Sequence, residues 1–439
     1  MVEIKRDKTA SLCQAYSSDW FGKIEKTAKA VCFPTSAQEV ARCLADAQEN
    51  NEKIVVRGGN TGLSGGTLVE SDKSVIISIN KMRDVLDYDS DTQIVTASAG
   101  YTLLEVNEYL ASFNMFLPLH MGSYQSAQVG GIVATNAGGM HAWKYGMARN
   151  LITNIECVSP SRGILDMRTA SLKNNEGANP VEYFIGSDGR IGVITKVNFR
   201  TFPIKASSLG LLLIADCFAD LADMSRQIEE IFFEYLDVVE FVSGCSPGAE
   251  SVSVQLTHEK VGLILTFASS MNQAKFEQIF LSILGDDDIL SNDRRVSFLN
   301  HSQVSKAIAA REALPSQIAE FGSLLKFDLR MKVSCLDEFH SFVLEQIDIY
   351  AEAKMSFFGH YKDGNVHLNL AGIDPTEAVD LISSLNDEVL RQGGGLSAEH
   401  GLGLSKRRSI ASYLSEEQLE LESYLCDYFD AHRLFSLGH

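Results

Sequence analysis

Two histidines flank a turn-forming Asp363-Gly364-Asn365 in FGHYKDGNVHLNL, residues 358–370. Further on, SAEHGLGLSKR supplies an acid and a third histidine side by side, Glu399 and His400. Imidazoles with a carboxylate suit Zn²⁺, Mn²⁺ or Fe²⁺, and three protein ligands leave coordination positions open for a substrate. A histidine so placed also serves as a general base, and isolated histidines at strand ends are often ordinary polar residues. His360 and His367 are seven residues apart, whereas a helix face joins residues three or four apart. A hairpin turning at Asp363-Gly364, between MSFFGH and VHLNL, folds them towards each other instead. On these residues alone, metal site, base and plain polar residues all stay open.

The chain that must position them has 439 residues, enough for two or three domains with a sizeable core. Hydrophobic residues make up 45% and charged residues 22%, the balance of a soluble globular protein. A formal charge of −19 argues against a nucleic-acid partner, because phosphate contacts need clustered Lys and Arg. No apolar run approaches the roughly 20 residues that span a bilayer. The longest, LGLLLIADCF at 209–218, reads as a buried strand. The start, MVEIKRDKTA, lacks the apolar core of a secretory signal. Eight scattered cysteines form no CxxC pair, which argues against a cysteine-held zinc or iron–sulfur site and for reduced thiols in a cytoplasm.

Along the chain, Ser36 and Glu39 fit a capping box, and Val40, Leu44 and Ala47 mark one face of the helix that follows. Ile54-Val55-Val56 reads as a strand, followed by the glycine loop RGGNTGLSGG and then by TLV and SVIISI, also read as strands. That loop lies between strands, so it is not the GxGxxG that opens a helix in doubly wound dinucleotide folds. A helix is expected over 102–113, with Leu103, Val106 and Leu110 on one side. Two more glycine clusters follow, QVGGIVATNAGG at 128–139 and IGSDGRIGVITKVNF at 185–199. Glycine lets backbone approach a ligand closely, and successive N–H groups in such turns form anion nests. From about Ala206, strands (209–215, 261–267) alternate with helices (220–235, 271–284), and the tail from Ser415 reads as helical.

RGGNTGLSGG, GGIVATNAGG, Tyr145-Gly146, FIGSDGRIGVIT, HYKDGNVHLN and EHGLGLSK occur here in one order. In these blocks the chain resembles the FAD-dependent D-2-hydroxyacid dehydrogenases of the vanillyl-alcohol-oxidase superfamily, over roughly residues 30–438. The resemblance implies an α+β fold. A two-part PCMH-type FAD-binding domain would span residues 1–205 and a mixed α/β substrate cap 206–390. A C-terminal helical segment, 391–439, would return to the FAD domain. It implies that Gly58, Gly59, Asn60, Thr61 and Gly62 hold the pyrophosphate. Gly122, Ser123, Gly130, Gly131, Thr135 and Asn136 would line the flavin, with Gly192 and Val193 near the adenine half. Asn60 stands where some relatives carry a flavin-linking histidine, so FAD is expected to be non-covalent.

The resemblance further implies that His360, His367 and Glu399 bind a divalent metal, zinc or manganese, and that His400 is the catalytic base. The substrate hydrogen would leave as hydride to flavin N5, with the hydroxyl polarised by the metal. Arg311, Lys326 and Asn369 would bind the substrate, since cations grip carboxylates. Three positions depart from the pattern: Arg190 for a small residue, Pro315 for a threonine, and Lys362 for the first glycine of a GDGN turn. Lys362 would either add charge beside the metal or point to solvent. The expected partners are a small 2-hydroxyacid and a separate electron acceptor, an electron-transfer flavoprotein or a quinone-linked protein. A homodimer and a peripheral contact with the inner membrane face are compatible with the sequence. The rival readings are a metal-independent flavoprotein acting on another alcohol or sugar acid, an O₂-using oxidase, and a non-catalytic flavin-binding subunit.

Overall fold

The computed structural model describes residues 6–167, 177–286, 293–410 and 414–436. The chain divides into two compact units. One comprises Met1–Gly139, Tyr145–Pro203 and Glu399–His439, the other Met140–Lys144 and Ile204–Ala398.

In the first unit, β1 (Ala30–Cys32), β2 (Lys53–Arg57) and β3 (Ser74–Ser78) are the parallel strands of a sheet, in the order β1-β3-β2, with Arg6–Asp7 antiparallel at the β1 edge. Parallel neighbours need crossovers, and α1 (Ala37–Glu49) supplies one, burying Val40, Leu44 and Ala47. Half of the expected capping box forms. Ser36 Oγ accepts the Glu39 N–H, but the Glu39 carboxylate takes the Thr35 N–H and hydroxyl. Thr67-Leu68-Val69 is not a strand. Leu68 and Val69 are buried without a ladder, and the Thr67 hydroxyl donates to Asn60 Oδ1.

A second, antiparallel sheet runs β4-β5-β8-β6-β7, from β4 (Leu86–Asp89), β5 (Ile94–Ser98), β6 (Ile152–Ser159), β7 (Gly163–Asp166) and β8 (Val193–Arg200). The helix α2 (Leu103–Ala111) starts with a full capping box between Thr102 and Glu105 and buries Leu103, Val106 and Leu110. The second glycine cluster contains a helix, α3 (Val129–Ala134), that periodicity does not reveal. Gly130 is required there, because a Cβ would stand 2.7 Å from Ile79 Cδ1 and 2.8 Å from Ala99 Cβ.

The second unit is built on seven antiparallel strands. They are β9 (Ser207–Ala215), β10 (Leu236–Ser243), β11 (Val261–Ser269), β12 (Val296–Leu299), β13 (Leu324–Arg330), β14 (Lys354–His360) and β15 (Asn365–Ala371). Their order is β12-β9-β11-β10-β14-β15-β13. Alternate residues of a strand face opposite ways, and the register sorts this sheet by polarity. Phe241, Phe357, Val366, Leu368, Leu325 and Leu329 face one side. They share a core with Phe218, Leu221 and Ile228 of α4 (Phe218–Phe232) and Phe276 and Phe280 of α5 (Gln273–Asp286). The other side carries a row in which Glu240 pairs with His360 and His360 with Asn365. The next row pairs Phe358 with His367 and His367 with Asp328, and a third pairs Ser356 with Asn369 and Asn369 with Lys326. Part of this side is covered by α6 (His301–Ala319), whose Ala307 and Leu314 pack with Leu212, Ile264 and Phe358.

Met140–Lys144 belongs to the second unit, although the chain on either side belongs to the first. Trp143 Nε1 donates to the Asp237 carbonyl (2.9 Å), Lys144 Nζ to the Leu236 carbonyl (2.6 Å), and His141 Nε2 lies 3.3 Å from Asp237 Oδ2. Burial opposes ionisation of Asp237, but His141 and Lys144 outweigh it and hold the carboxyl below its ordinary value near 3.8. A depressed carboxyl contributes stability that is complete above its unfolded value and is lost as pH falls through the folded one. Asp237→Asn is expected to cost about 1–3 kcal/mol at neutral pH and to flatten the acid side of the stability profile. Urea unfolding followed by Trp143 fluorescence in a Trp20→Phe background measures both. An unchanged acid slope contradicts this account of the segment.

Candidate functional site

The first glycine loop leaves β2 and bends at Asn60, whose φ is +58°. It runs against the turn at 122–127: a Cβ on Gly59 would fall 1.9 Å from the Ser126 carbonyl oxygen. Gly62, Gly66, Gly122 and Gly131 have the opposite character, with nothing within 4 Å of where a Cβ would sit. Four glycines from three chain segments thus border open space, while Gln128 Oε1 is buried without a hydrogen-bond partner among the described residues. Bare backbone around open space suits a phosphate-bearing ligand with a flat ring system, so these residues fit FAD.

Other expected flavin residues are occupied structurally. Thr135 Oγ1 donates to the Gly131 carbonyl, and Asn136 (φ +49°) accepts the Arg149 N–H. Ser123 closes its turn by accepting the Ser126 and Ala127 N–H groups. Gly192 is hemmed in by Phe184 and the Val158 carbonyl, and Val193 begins buried in β8. Gly58 packs over Gln128 and Gly131, and Thr61 follows Asn60 in the loop.

Glu399 and His400 sit on a loop of the first unit that is tied down at His400–Gly403. Ser64 Oγ lies 3.1 Å from the carbonyls of His400 and Gly401, and Asp188 Oδ2 accepts the N–H groups of Leu402 (3.3 Å) and Gly403 (3.2 Å). Gly403 is needed for the approach, since its Cβ would fall 2.0 Å from the Ser64 carbonyl oxygen. Burial pushes the Asp188 carboxyl up, against the pull of the Gly403 N–H and Arg190. The Glu399 carboxylate lies over Gly138 and 3.6 Å from His400 Nε2. Arg190, the departure in this region, donates to the Ser187 carbonyl and pairs with Glu422, so it braces the turn that carries Asp188.

In the second unit, the hairpin of β14 and β15 brings His360 and His367 together, ring centroids 5.3 Å apart and nearly perpendicular. His360 Nδ1 is 2.6 Å from Glu240 Oε1, and the other Glu240 oxygen meets Arg311 Nε at 2.5 Å. Arg311 is 6% exposed and lies over the Phe358 ring, 4.7 Å from its centroid. Lys326 and Asn369 are opposite each other on the polar face, and burial lowers the Lys326 pKa. Asp328 accepts from Asn365 Nδ2 (2.9 Å) and from the Ala398 N–H (3.1 Å). Sequence reasoning missed Glu240, Asp328, Ser64 and Asp188. For Glu240 a signal existed, a single acid inside the apolar strand VVEFV.

Lys362 resolves differently from either expectation. Its Nζ pairs with Glu229 of α4 at 2.5 Å and lies 5.9 Å from the centre of the Trp143 ring. Since α4 packs on the apolar side of the sheet, this charge is held away from the polar face. Pro315 lies inside α6, and lacking an N–H it cannot donate to the Arg311 carbonyl four residues back.

The glycine loops that fit FAD lie in the part of the chain that matches a flavin-binding family. The chain matches the family described as FAD binding domain over residues 28–167 and that described as FAD linked oxidases, C-terminal domain, over residues 213–438. It is 30% identical over 422 residues to the mitochondrial D-2-hydroxyglutarate dehydrogenase of Arabidopsis thaliana, covering 92% of this chain and 73% of that protein. Against the D-2-hydroxyglutarate dehydrogenase of Xanthomonas citri pv. viticola, identity is 26% over 441 residues, with 96% and 91% covered. A solved alkyldihydroxyacetonephosphate synthase shares the fold, with a TM-score of 0.75 at 15% identity over 98% of this chain and 83% of that one. The chain belongs to the FAD-linked oxidases, and the protein is an FAD-dependent oxidoreductase.

The two kinds of glycine make separable predictions. Gly59→Ala is expected to lower the thermal midpoint of the apoprotein, because backbone must move. Gly62→Ala is expected to leave the apoprotein's unfolding free energy within about 0.5 kcal/mol of wild type while weakening flavin retention on dilution. Equal flavin retention in Gly62→Ala and wild type would remove Gly62 from the cradle.

Proposed function

We propose that the protein oxidises a D-2-hydroxyacid to the 2-oxoacid with non-covalent FAD and a divalent ion, passing electrons to a separate acceptor protein. The observation that carries the reading is the histidine pair on the polar sheet face, with Nδ1 of His360 engaged by a buried carboxylate. A histidine held through Nδ1 presents Nε2 for coordination, and two imidazoles with one carboxylate match zinc or manganese chemistry. The third ligand in this reading is Glu399, the position that the family resemblance implies.

When bound, FAD supplies the acceptor for two electrons and a hydrogen, and a divalent ion supplies the positive charge that acidifies an alcohol. The chain contributes position and proton transfer. Arg311 and Lys326 bind the substrate carboxylate, the first through a planar fork and the second as a point charge. Asn369, buried on the same face, adds a neutral hydrogen bond. His400 takes the hydroxyl proton, a transfer that a positioned imidazole performs near neutral pH. Ser64 and Asp188 fix the backbone from His400 to Gly403. Lowering the Lys326 pKa by burial makes carboxylate binding weaken as pH rises towards the amine's folded pKa.

Anaerobic mixing of the yellow protein with a panel of D- and L-2-hydroxyacids tests this through loss of the flavin's visible absorbance. D-acids are expected to bleach it and L-acids to leave it coloured. Complete metal removal is expected to slow bleaching by about 100-fold or more, and His400→Asn by about 10²–10⁴-fold. Bleaching by no hydroxyacid overturns the reading. Bleaching indifferent to metal removal overturns the metal, and a wild-type rate in His400→Asn overturns the base.

A further inference from the structure

Glu240 has a physical position that packing does not explain. It is 0% exposed in the middle of β10, where its strand neighbours Val239, Phe241 and Val242 are hydrocarbon. Removing a carboxylate from water costs several kcal/mol, and a buried ion pair often stabilises a fold no better than apolar residues of the same volume. A valine or leucine at this point of the sheet would be the simpler solution for stability alone.

The two oxygens are instead directed to two separate groups of the polar face. Oε1 meets His360 Nδ1 at 2.6 Å, and Oε2 meets Arg311 Nε at 2.5 Å. A carboxylate accepts hydrogen bonds, so the proton between Oε1 and the ring sits on Nδ1, and Nε2 is the nitrogen through which the ring would coordinate. The Arg311 contact is an ion pair that is not aligned as a hydrogen bond. Both Nε and Nη2 are buried without a hydrogen-bond partner among the described residues. Buried guanidinium nitrogens in that state are expensive in a protein that has no anion to offer them.

We propose that Glu240 is a positioning residue for the reaction, one carboxylate that fixes the coordinating tautomer of His360 and aims the unsatisfied guanidinium of Arg311 at an incoming carboxylate. The inference rests on the hydroxyacid reading above and adds to it a residue that couples metal affinity to substrate affinity. Glu240 touches neither ligand. It acts through His360 and Arg311, and a merely structural carboxylate would move neither affinity.

Two variants separate these roles in the full-length flavoprotein. Glu240→Met/Arg311→Met removes both charges together, so no lone buried ion is left to unfold the protein. Its zinc affinity, measured by competition with a chromogenic chelator, is expected to fall about 10–100-fold, with flavin content unchanged. Glu240→Gln keeps an acceptor for Nδ1–H and loses the charge opposite Arg311. Its KM for the D-hydroxyacid is expected to rise about tenfold or more with a smaller loss of zinc affinity, since the charge that aims the guanidinium is gone while the acceptor for Nδ1–H remains. Wild-type zinc affinity in the double variant overturns the proposal and leaves the hydroxyacid reading intact. Absence of zinc binding by the wild type overturns both the metal and Glu240's part in it. Should the double variant not retain flavin, Glu240→Gln decides, and wild-type KM and zinc affinity there overturn the proposal.

Discussion

A carboxylate with no access to water must be neutralised by what surrounds it, and in the second unit that requirement organises one face of a sheet. Glu240 draws the imidazole of His360 across one strand boundary and the guanidinium of Arg311 down from α6. Each partner then has one nitrogen fixed against the carboxylate. The next row repeats the device with Asp328, which takes the side chain of Asn365 and the backbone of Ala398 while standing opposite His367. Buried charge is costly for stability, and here it supplies orientation. The opposite face of the same strands holds Phe241, Phe357 and Leu368 in an aromatic core that makes the sheet stiff enough to hold such an arrangement.

The first unit solves its positioning problem with backbone. Left-handed residues at Asn60, Asn136 and Asp188 and close approaches at Gly59 and Gly403 bring loops from distant parts of the chain together. The blocks that look independent in sequence are joined by hydrogen bonds. Ser64 comes from the first glycine loop, Asp188 from the third, and both end on the loop that carries Glu399 and His400. An error in any one block would shift the imidazole that this loop presents.

Much of this was legible in the residues, and the exceptions have physical causes. The turn at Asp363-Gly364 between MSFFGH and VHLNL identifies a hairpin that folds the histidines towards each other, and the register puts both on one side. The helix at Val129–Ala134 was hidden, since glycine lowers helix propensity and only tertiary contact with Ile79 and Ala99 selects it here. Thr67-Leu68-Val69 has strand composition but follows two glycines and finds a partner in Asn60 instead of a ladder. The partner of Lys362 lies 133 residues away in α4, a distance at which local pattern carries no information. The same is true of Met140–Lys144, whose membership in the second unit rests on Asp237, while the lone acid in VVEFV marks Glu240 without revealing its partner His360.

The central claim is that the polar face of this sheet is a coordination and substrate surface organised by Glu240. Anomalous diffraction from crystals grown with zinc, recorded on both sides of the zinc absorption edge, tests it most directly. The account predicts one strong peak about 2.0–2.2 Å from Nε2 of His360, shared with His367 and Glu399, with His360 Nδ1 still on Glu240. A peak away from both histidines, or a His360 ring turned to coordinate through Nδ1, would contradict it.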